Sequence, residues 1–384
     1  MSRIEDAKII IETLVDNGYD AFIVGGYVRD KLLDIETNDI DIATSATPDV
    51  VENLFSKTIL TGVNHGTVTV VINNANYEVT TFRTENDYLN NRKPTAVNFV
   101  SSLFEDVKRR DFTMNALALN LSGEIIDYVS GKEDIKNKLI RTVGNPFERF
   151  SEDALRMLRA FRFVSLLGFD IESEALKAIN KNSDLIKNIS LERIIKEFEA
   201  LVRGKDFLKA IKLMKKTNFH ISMPYFNKGI DVIADKEFVP LDFYEFLTIC
   251  AVVDEDDLIE NLPILKLLKK EIRIVYEMYT LNITNFTNPI LFRNGLRNCL
   301  MTNKLNVYLR NNDDKSKEII EMYQTMPIKK QCDLKFKGDE IISLYEKTPG
   351  SWISEILDDI CLNVLLGHLE NDYEKIRQYL LSKK

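Results

Sequence analysis

The chain has 384 residues, 45% of them hydrophobic and 29% charged, with a net charge of −8. That length supports two or more domains with cores of their own, and no apolar run reaches the ~20 residues that span a bilayer, which excludes a membrane protein. The acidic balance argues against a non-specific nucleic-acid coat, although a local basic stripe suffices for phosphate contacts.

Met1 to Asp16 is an amphipathic pattern that carries acids, without the basic-then-apolar order of a secretory signal. Asp20–Gly25 (DAFIVG) is an apolar run ending in Gly25-Gly26, which predicts a strand entering a tight turn, and Tyr27–Leu33 continues with helical spacing. Asp39–Thr44 (DIDIAT) alternates polar and apolar, as a half-buried strand does. Thr47-Pro48 places an N-cap before a first-turn proline and opens a helix through Phe55. Gly66–Ile72 and Tyr77–Arg83 read as strands joined by a turn over Asn73–Asn76, and Leu117–Leu121 with Glu124–Tyr128 as a hairpin over Ser122-Gly123.

From Ser151 onward the strand signals fade. Ser151 reads as the cap of a helix whose first turn holds Glu152 and Asp153. Helical patterns follow at Glu172–Lys181, Ser190–Arg203, Asp206–Lys216 and on to the C-terminus. Strands followed by helices predict an α+β chain with its main boundary near 145–150. Cys250, Cys299, Cys332 and Cys361 are far apart and in no C-x-x-C pair, which fits reduced thiols in a cytoplasmic protein. His65, His220 and His368 are too scattered to build a metal cluster.

Three stretches carry chemistry. On a strand, residues i and i+2 face the same side, so Asp39 and Asp41 project two carboxylates together while Ile40 faces away. Crowded carboxylates repel, and divalent cations resolve the conflict: Mg²⁺ binds through one or two carboxylates plus substrate phosphates, and a metal pair serves in-line phosphoryl displacement. A lone D-x-D also occurs on solvated strand edges. Here a Gly-Gly turn and Arg29 stand just ahead of it, and glycine lets backbone approach a phosphate closely. Glu78, on the Tyr77–Arg83 strand, is a candidate third carboxylate. The second stretch, Lys108-Arg109-Arg110-Asp111, reads either as a charged surface loop or as ribose and triphosphate contacts.

The third is SEDALRMLRAFRFVSLL (151–167), expected as one helix. Asp153, Arg156, Arg159 and Arg162 recur every three residues beside an apolar stripe of Leu155, Leu158, Phe161 and Val164. Part of that charged row fits intrahelical ion pairing, worth a few tenths of a kcal/mol. A sharper reading follows from hydrogen-bond chemistry. Cytosine and adenine both present an exocyclic amino donor beside a ring-nitrogen acceptor, whereas uracil and guanine present the reverse. One Asp–Arg pair therefore matches C and A and opposes U and G, and buried unpaired polar groups reject a wrong substrate strongly.

Taken together, FIVGGYVRDKLL (22–33), NDIDIATSATP (38–48), HGTVTVV (65–71), YEVTTFR (77–83), KRRDFTMNALAL (108–119) and RFSEDALRMLRAFRF (149–163) resemble the bacterial class II tRNA nucleotidyltransferases, the CCA-adding enzymes, relatives of bacterial poly(A) polymerases. FKGDEI (336–341) and PGSWISEIL (349–357) extend the likeness more weakly to the C-terminal end. The resemblance implies a polymerase-β-like nucleotidyltransferase head over 1–148, followed by an all-α neck (149–205), body (206–270) and tRNA-binding tail (271–384). It implies addition of C, C and A to the 3′ end of tRNA from CTP and ATP, in the cytoplasm and with no obligate protein partner. The alternative is an A-adding or poly(A)-adding enzyme on the same fold. By the same likeness Gly26 and Arg29 contact the incoming nucleotide, Asp39 and Asp41 hold Mg²⁺, Arg110 binds the nucleotide and Asp111 lies near its ribose. Asp153 and Arg156 read the base edge, and Arg159 and Arg162 bind phosphate or support the template. Family members that add only CC tend to lack an intact flexible loop after the YEVTTFR strand. Here Thr84–Ala96 (TENDYLNNRKPTA) keeps Asp87, Tyr88, Arg92 and Pro94, and is expected to be a mobile loop.

Overall fold

Short apolar stretches of the first third of the chain pair into one sheet that carries the site. The computed structural model describes residues 2–62, 65–89, 93–254 and 258–384. Its contacts divide the chain into two units, Met1–Phe243 and Tyr244–Lys384.

In the first unit, α1 (Arg3–Asp16) is followed by β1 (Ala21–Val24), α2 (Gly26–Leu32), β2 (Asp41–Thr44), α3 (Pro48–Leu54), β3 (Thr58–Gly62), β4 (Thr67–Ile72) and β5 (Ala75–Thr81). Next come β6 (Arg83–Leu89), β7 (Lys93–Phe99), α4 (Leu103–Lys108), β8 (Ala118–Leu119), β9 (Ile125–Ile126), α5 (Gly131–Lys136) and β10 (Leu139–Ile140). The helical part holds α6 (Pro146–Glu152), α7 (Leu155–Leu167), the short strand β11 (Asp170–Ile171), α8 (Ser173–Asn182), α9 (Leu191–Val202), α10 (Phe207–Lys216) and α11 (Asn227–Lys236).

The main sheet has the order β3-β4-β5-β2-β1-β8-β9. Within it, among the described residues, β2 and β5 are the one parallel pair, and their register sets Asp41 opposite Glu78. β4 and β5 turn over Asn73 and Asn74, both at positive φ, as a two-residue hairpin requires. Beneath β1 and β2, Val24, Ala43, Phe82, Leu103 and Val107 form a buried cluster that seats α4. The expected stripe of α7, Leu155, Leu158, Phe161 and Val164, is buried, and α7 packs against α9 and α10.

Three expectations change. Strand β2 begins only at Asp41, so Asp39 lies in the irregular segment before it and is exposed, whereas Asp41 is half-buried. The helix expected from Ser151 is two helices. α6 starts at Pro146, because Asn145 caps it by accepting from the Phe147 N–H, and the Ser151 hydroxyl donates to the Phe147 carbonyl within it. Asp153 then breaks the run: its backbone is extended (φ −132°, ψ 102°) and its carboxylate accepts from the Leu155 N–H at 3.1 Å. Finally, the described residues of Thr84–Ala96, 84–89 and 93–96, belong to an antiparallel ribbon, β6 with β7, separate from the main sheet. Its sequence has no apolar alternation, so no strand signal was legible there. Arg92 lies outside the described residues.

The second unit is helical: α12 (Phe243–Asp254), α13 (Leu258–Asn261), α14 (Lys266–Thr280), α15 (Asn288–Asn294), α16 (Leu296–Arg310), α17 (Ser316–Thr325), α18 (Gly338–Tyr345), α19 (Trp352–Leu365) and α20 (Tyr373–Ser382). The division at 243/244 cuts the expected body of 206–270. The reason is visible in α12: the Tyr244 hydroxyl donates to Asn298 at 2.8 Å and Lys304 pairs with Glu245 at 2.6 Å, tying α12 to α16. Among the described residues no helix is long and apolar enough to cross a membrane.

Candidate active site

The first unit holds a cleft of about 680 Å³, and every site residue expected from the sequence lines it: Gly26, Arg29, Asp39, Asp41, Glu78, Arg110, Asp111, Asp153, Arg156, Arg159 and Arg162. One wall is the sheet. Gly25 caps α2 at φ +74°, a backbone that L side chains adopt rarely, and so turns the chain from β1 toward the cleft. Parallel pairing of β2 with β5 brings Glu78 beside Asp41. Burial, and then the neighbouring charges of Asp39 and Glu78, push the Asp41 pKa up to about 6 against some relief from Arg110. Among the described residues no three His, Cys, Asp or Glu side chains form a ready metal cage.

The second wall is basic. Arg29 donates from Nη1 to the Asn115 side chain at 2.7 Å and pairs with Asp30 at 2.6 Å. Asp106, buried on α4, pairs with Arg109 at 2.7 Å and with Arg110 at 3.0 Å. Burial works to raise its pKa, but the two guanidiniums hold it below the ordinary carboxylate value. Lys108, by contrast, is exposed, pairing with Glu105 at 2.8 Å over the ring of Phe104. The basic triplet is thus divided, with Arg109 and Arg110 in the cleft lining and Lys108 on the surface.

The third wall is α7 and the break before it. Arg159 pairs with Asp111 at 2.6 Å, and Arg162 with Glu197 at 2.7 Å. Burial alone would raise the Asp111 pKa, yet Arg159, the Phe112 N–H and Asn115 bring it down to about 2. The Arg156 backbone N–H donates to the Asp153 carbonyl at 3.1 Å, while their side chains have further partners. The Asp153 carboxylate meets Arg193 of α9 at 2.8 Å. The buried Arg156 donates to Glu152 at 2.8 Å and to the carbonyls of Arg149 and Arg109 at 3.0 and 2.9 Å. Arg193 and Glu197 were not legible as site residues, because i, i+4 charges on a helix fit a solvated ion pair equally well. Asn115 stood in a noted stretch without an assigned part, and Phe163 lay outside the predicted apolar stripe.

The surroundings sort the chemistry. An acidic edge at Asp39, Asp41 and Glu78 suits a cation, an array of arginines suits a polyphosphate, and Asp153 with Arg156 offers an acceptor beside a donor.

Known proteins resemble this chain along its whole length. Its residues 21–141 match the family model "Poly A polymerase head domain", 168–229 match "Probable RNA and SrmB-binding site of polymerase A", and 242–380 match a domain 2 model of tRNA nucleotidyltransferase. The last begins where the contacts divide the chain. A CCA-adding enzyme of Geobacillus sp. (strain WCH70) is 40% identical over 388 residues, covering 97% of this chain and 96% of the relative. The CCA-adding enzyme of Bacillus subtilis is 38% identical over 381 residues, with 97% and 96% covered. Among solved structures, the Bacillus stearothermophilus CCA-adding enzyme in complex with CTP superposes with a TM-score of 0.83 at 34% identity, covering 100% of this chain and 98% of that one.

Proposed function

This chain belongs to the CCA-adding enzymes, nucleotidyltransferases with a poly(A) polymerase head, and from that premise we propose that it completes the 3′ end of tRNA, adding C, C and A from CTP and ATP. The observation that carries the reading is one cleft that holds three kinds of chemistry: acids at one edge, arginines along the walls, and an Asp with an Arg beside them.

We assign Mg²⁺ to Asp39 and Asp41. Both offer hard oxygen donors, and the crowding of Asp41 by Asp39 and Glu78 is the kind a cation relieves. With no three-residue cage among the described residues, the pair suits an ion that completes its shell with phosphate oxygens and water. When bound, Mg²⁺ supplies Lewis-acid stabilisation of the charge that develops during phosphoryl displacement.

The chain's own residues then divide the work. Arg29, Arg110, Arg159 and Arg162 draw in the triphosphate and hold its charge, and Asp111 anchors Arg159 from behind near the ribose. Gly26 leaves backbone room beside them. The RNA 3′-hydroxyl gives up its proton to water, its oxygen forms a bond to the α-phosphorus, the bond from that phosphorus to the bridging oxygen breaks, and pyrophosphate leaves. Asp153 accepts from the exocyclic amine of C or A, and Arg156 donates to the ring nitrogen. Each is braced, Asp153 by Arg193 and Arg156 by Glu152 and two carbonyls, and such bracing is what a template of fixed geometry needs. We assign the head to 1–148, the neck to 149–205, the body to 206–270 and the tail, 271–384, to tRNA, held by shape and phosphate contacts. We place the enzyme in the cytoplasm with these substrates.

The test supplies the protein and Mg²⁺ with tRNA that ends before CCA, offers each nucleoside triphosphate alone and together, and sizes the products. The reading expects two additions from CTP alone and three from CTP with ATP. Long A tracts from ATP alone would instead identify a poly(A)-adding enzyme, and extension by UTP or GTP would refute the reading.

A further inference from the structure

One ring in the cleft touches the guanidiniums of three arginines. Phe163, on α7, is 3% exposed and lines the cleft. The guanidinium carbon of Arg162 stands 4.3 Å from its ring centroid, that of Arg29 5.3 Å and that of Arg159 5.9 Å. These arginines come from two elements, α2 and α7; Asp30 pairs with Arg29, Asp111 with Arg159, and Glu197 with Arg162 at 2.7 Å and with Arg159 at 3.8 Å. Glu197 thus joins two of them, and the ring is in contact with all three. It is fixed from behind by an edge-on Phe112, with centroids 5.7 Å apart and planes at 85°.

We propose that Phe163 is a positioning residue for triphosphate binding, the neutral hub that holds Arg29, Arg159 and Arg162 convergent. This rests on the reading above that those arginines take the triphosphate. Three guanidiniums this close repel one another, so something must hold them together before the substrate arrives. A carboxylate at the centre would do so more strongly, but it would also repel the phosphates and occupy their place. An aliphatic side chain would fill the space without attracting any of the three. The face of an aromatic ring attracts cations through its quadrupole while carrying no net charge. It therefore gathers the arginines and leaves their outer N–H groups to an anion.

The test compares Phe163→Leu and Phe163→Met, which keep an apolar side chain without a π face, with Phe163→Tyr, which keeps the face. Calorimetry on the full chain measures the binding of CTP, of CMP and of inorganic pyrophosphate. The two aliphatic variants are expected to bind CTP and pyrophosphate about tenfold more weakly, equal to about 1.4 kcal/mol. CMP binding stays within about twofold, and Phe163→Tyr recovers most of the loss. In turnover, KM for CTP and for ATP rises together, kcat changes little, and UTP and GTP stay excluded. The ratio of CTP to CMP affinity is read on folded protein alone, so partial unfolding of one variant does not mimic the effect. An unchanged ratio in both aliphatic variants, or a Phe163→Tyr as weak as Phe163→Leu, would overturn the proposal. Failure of the unmodified protein to add C and A would instead overturn the reading on which it rests, before any variant is compared.

Discussion

Breaking the Asp111–Arg159 pair should cost stability in a pH-dependent way. The pair joins the segment after α4 to helix α7 at 2.6 Å, and the Asp111 side chain is only 12% exposed. Its carboxyl is held at about 2 instead of the ordinary 3.8, despite burial, by Arg159, the Phe112 N–H and Asn115. A pH unit is worth about 1.4 kcal/mol, so the net preference of the folded state for the ionised form contributes about 2 kcal/mol at neutral pH. Arg159 is 34% exposed, and solvent screening brings the share owed to that pair nearer 1–2 kcal/mol. The sign follows from the depressed value: the contribution is complete above the unfolded carboxyl pKa and fades as the pH falls toward the folded one, with about half left at pH 3. The assay is a double-mutant cycle of Asp111→Asn and Arg159→Gln, with urea unfolding followed by far-ultraviolet circular dichroism at several pH values. The expected coupling is about 1–2 kcal/mol at pH 7 and roughly half that at pH 3. A coupling near zero at pH 7, or one that grows on acidification, would refute the electrostatic account of this contact.

Asp41→Asn should abolish nucleotide addition, and in metal-free buffer near pH 7 the variant should melt no lower than the parent. Folding holds the Asp41 carboxyl at about 6, so its ionised form is carried at a cost above that pH which the neutral amide lacks; activity within a few-fold of the parent would count against this acid as a metal ligand. The ribbon is expected to separate the second addition from the third. Cytosine and adenine differ in size yet must present the α-phosphate at one place, and a misplacement near 1 Å can cost ~100-fold in rate. Helix α7 is pinned by its buried stripe, whereas the ribbon stands apart from the main sheet, so replacing Asp87–Pro94 by a short Gly/Ser linker should leave both C additions and remove the terminal A. Full CCA product, or equal loss of all three additions, would count against it.

Much of the site was legible because its chemistry is written locally. Gly25-Gly26, Asp39-x-Asp41 and the Arg109-Arg110-Asp111 run each constrain backbone or charge within a few residues, and all three meet in the cleft. What was not legible depends on distant neighbours or on competing local signals. RFSEDALR reads as a helix capped by Ser151 with Asp153 in its first turn, but Asn145-Pro146 upstream begins a helix that Asp153 then ends. At that break the Asp153 carboxylate meets Arg193, forty positions away in sequence. A polar ribbon that satisfies its backbone by pairing with itself leaves no periodic trace, so β6 and β7 read as a loop. The likeness to known sequences supplied residue parts that spacing alone left open, such as Asp111 near a ribose.

The central claim is that a single side-chain template serves both bases. Its most direct test is kcat/KM for CTP on tRNA lacking CCA and for ATP on tRNA ending in CC, in the parent and in Asp153→Ala and Arg156→Ala, with UTP and GTP in competition. The account predicts that C and A addition fall together and that U and G gain ground by a few kcal/mol of lost discrimination, the scale of an unpaired buried polar group. Loss of one addition with the other intact, or a uniform loss of rate with C and A preferred as strongly as before, would contradict it.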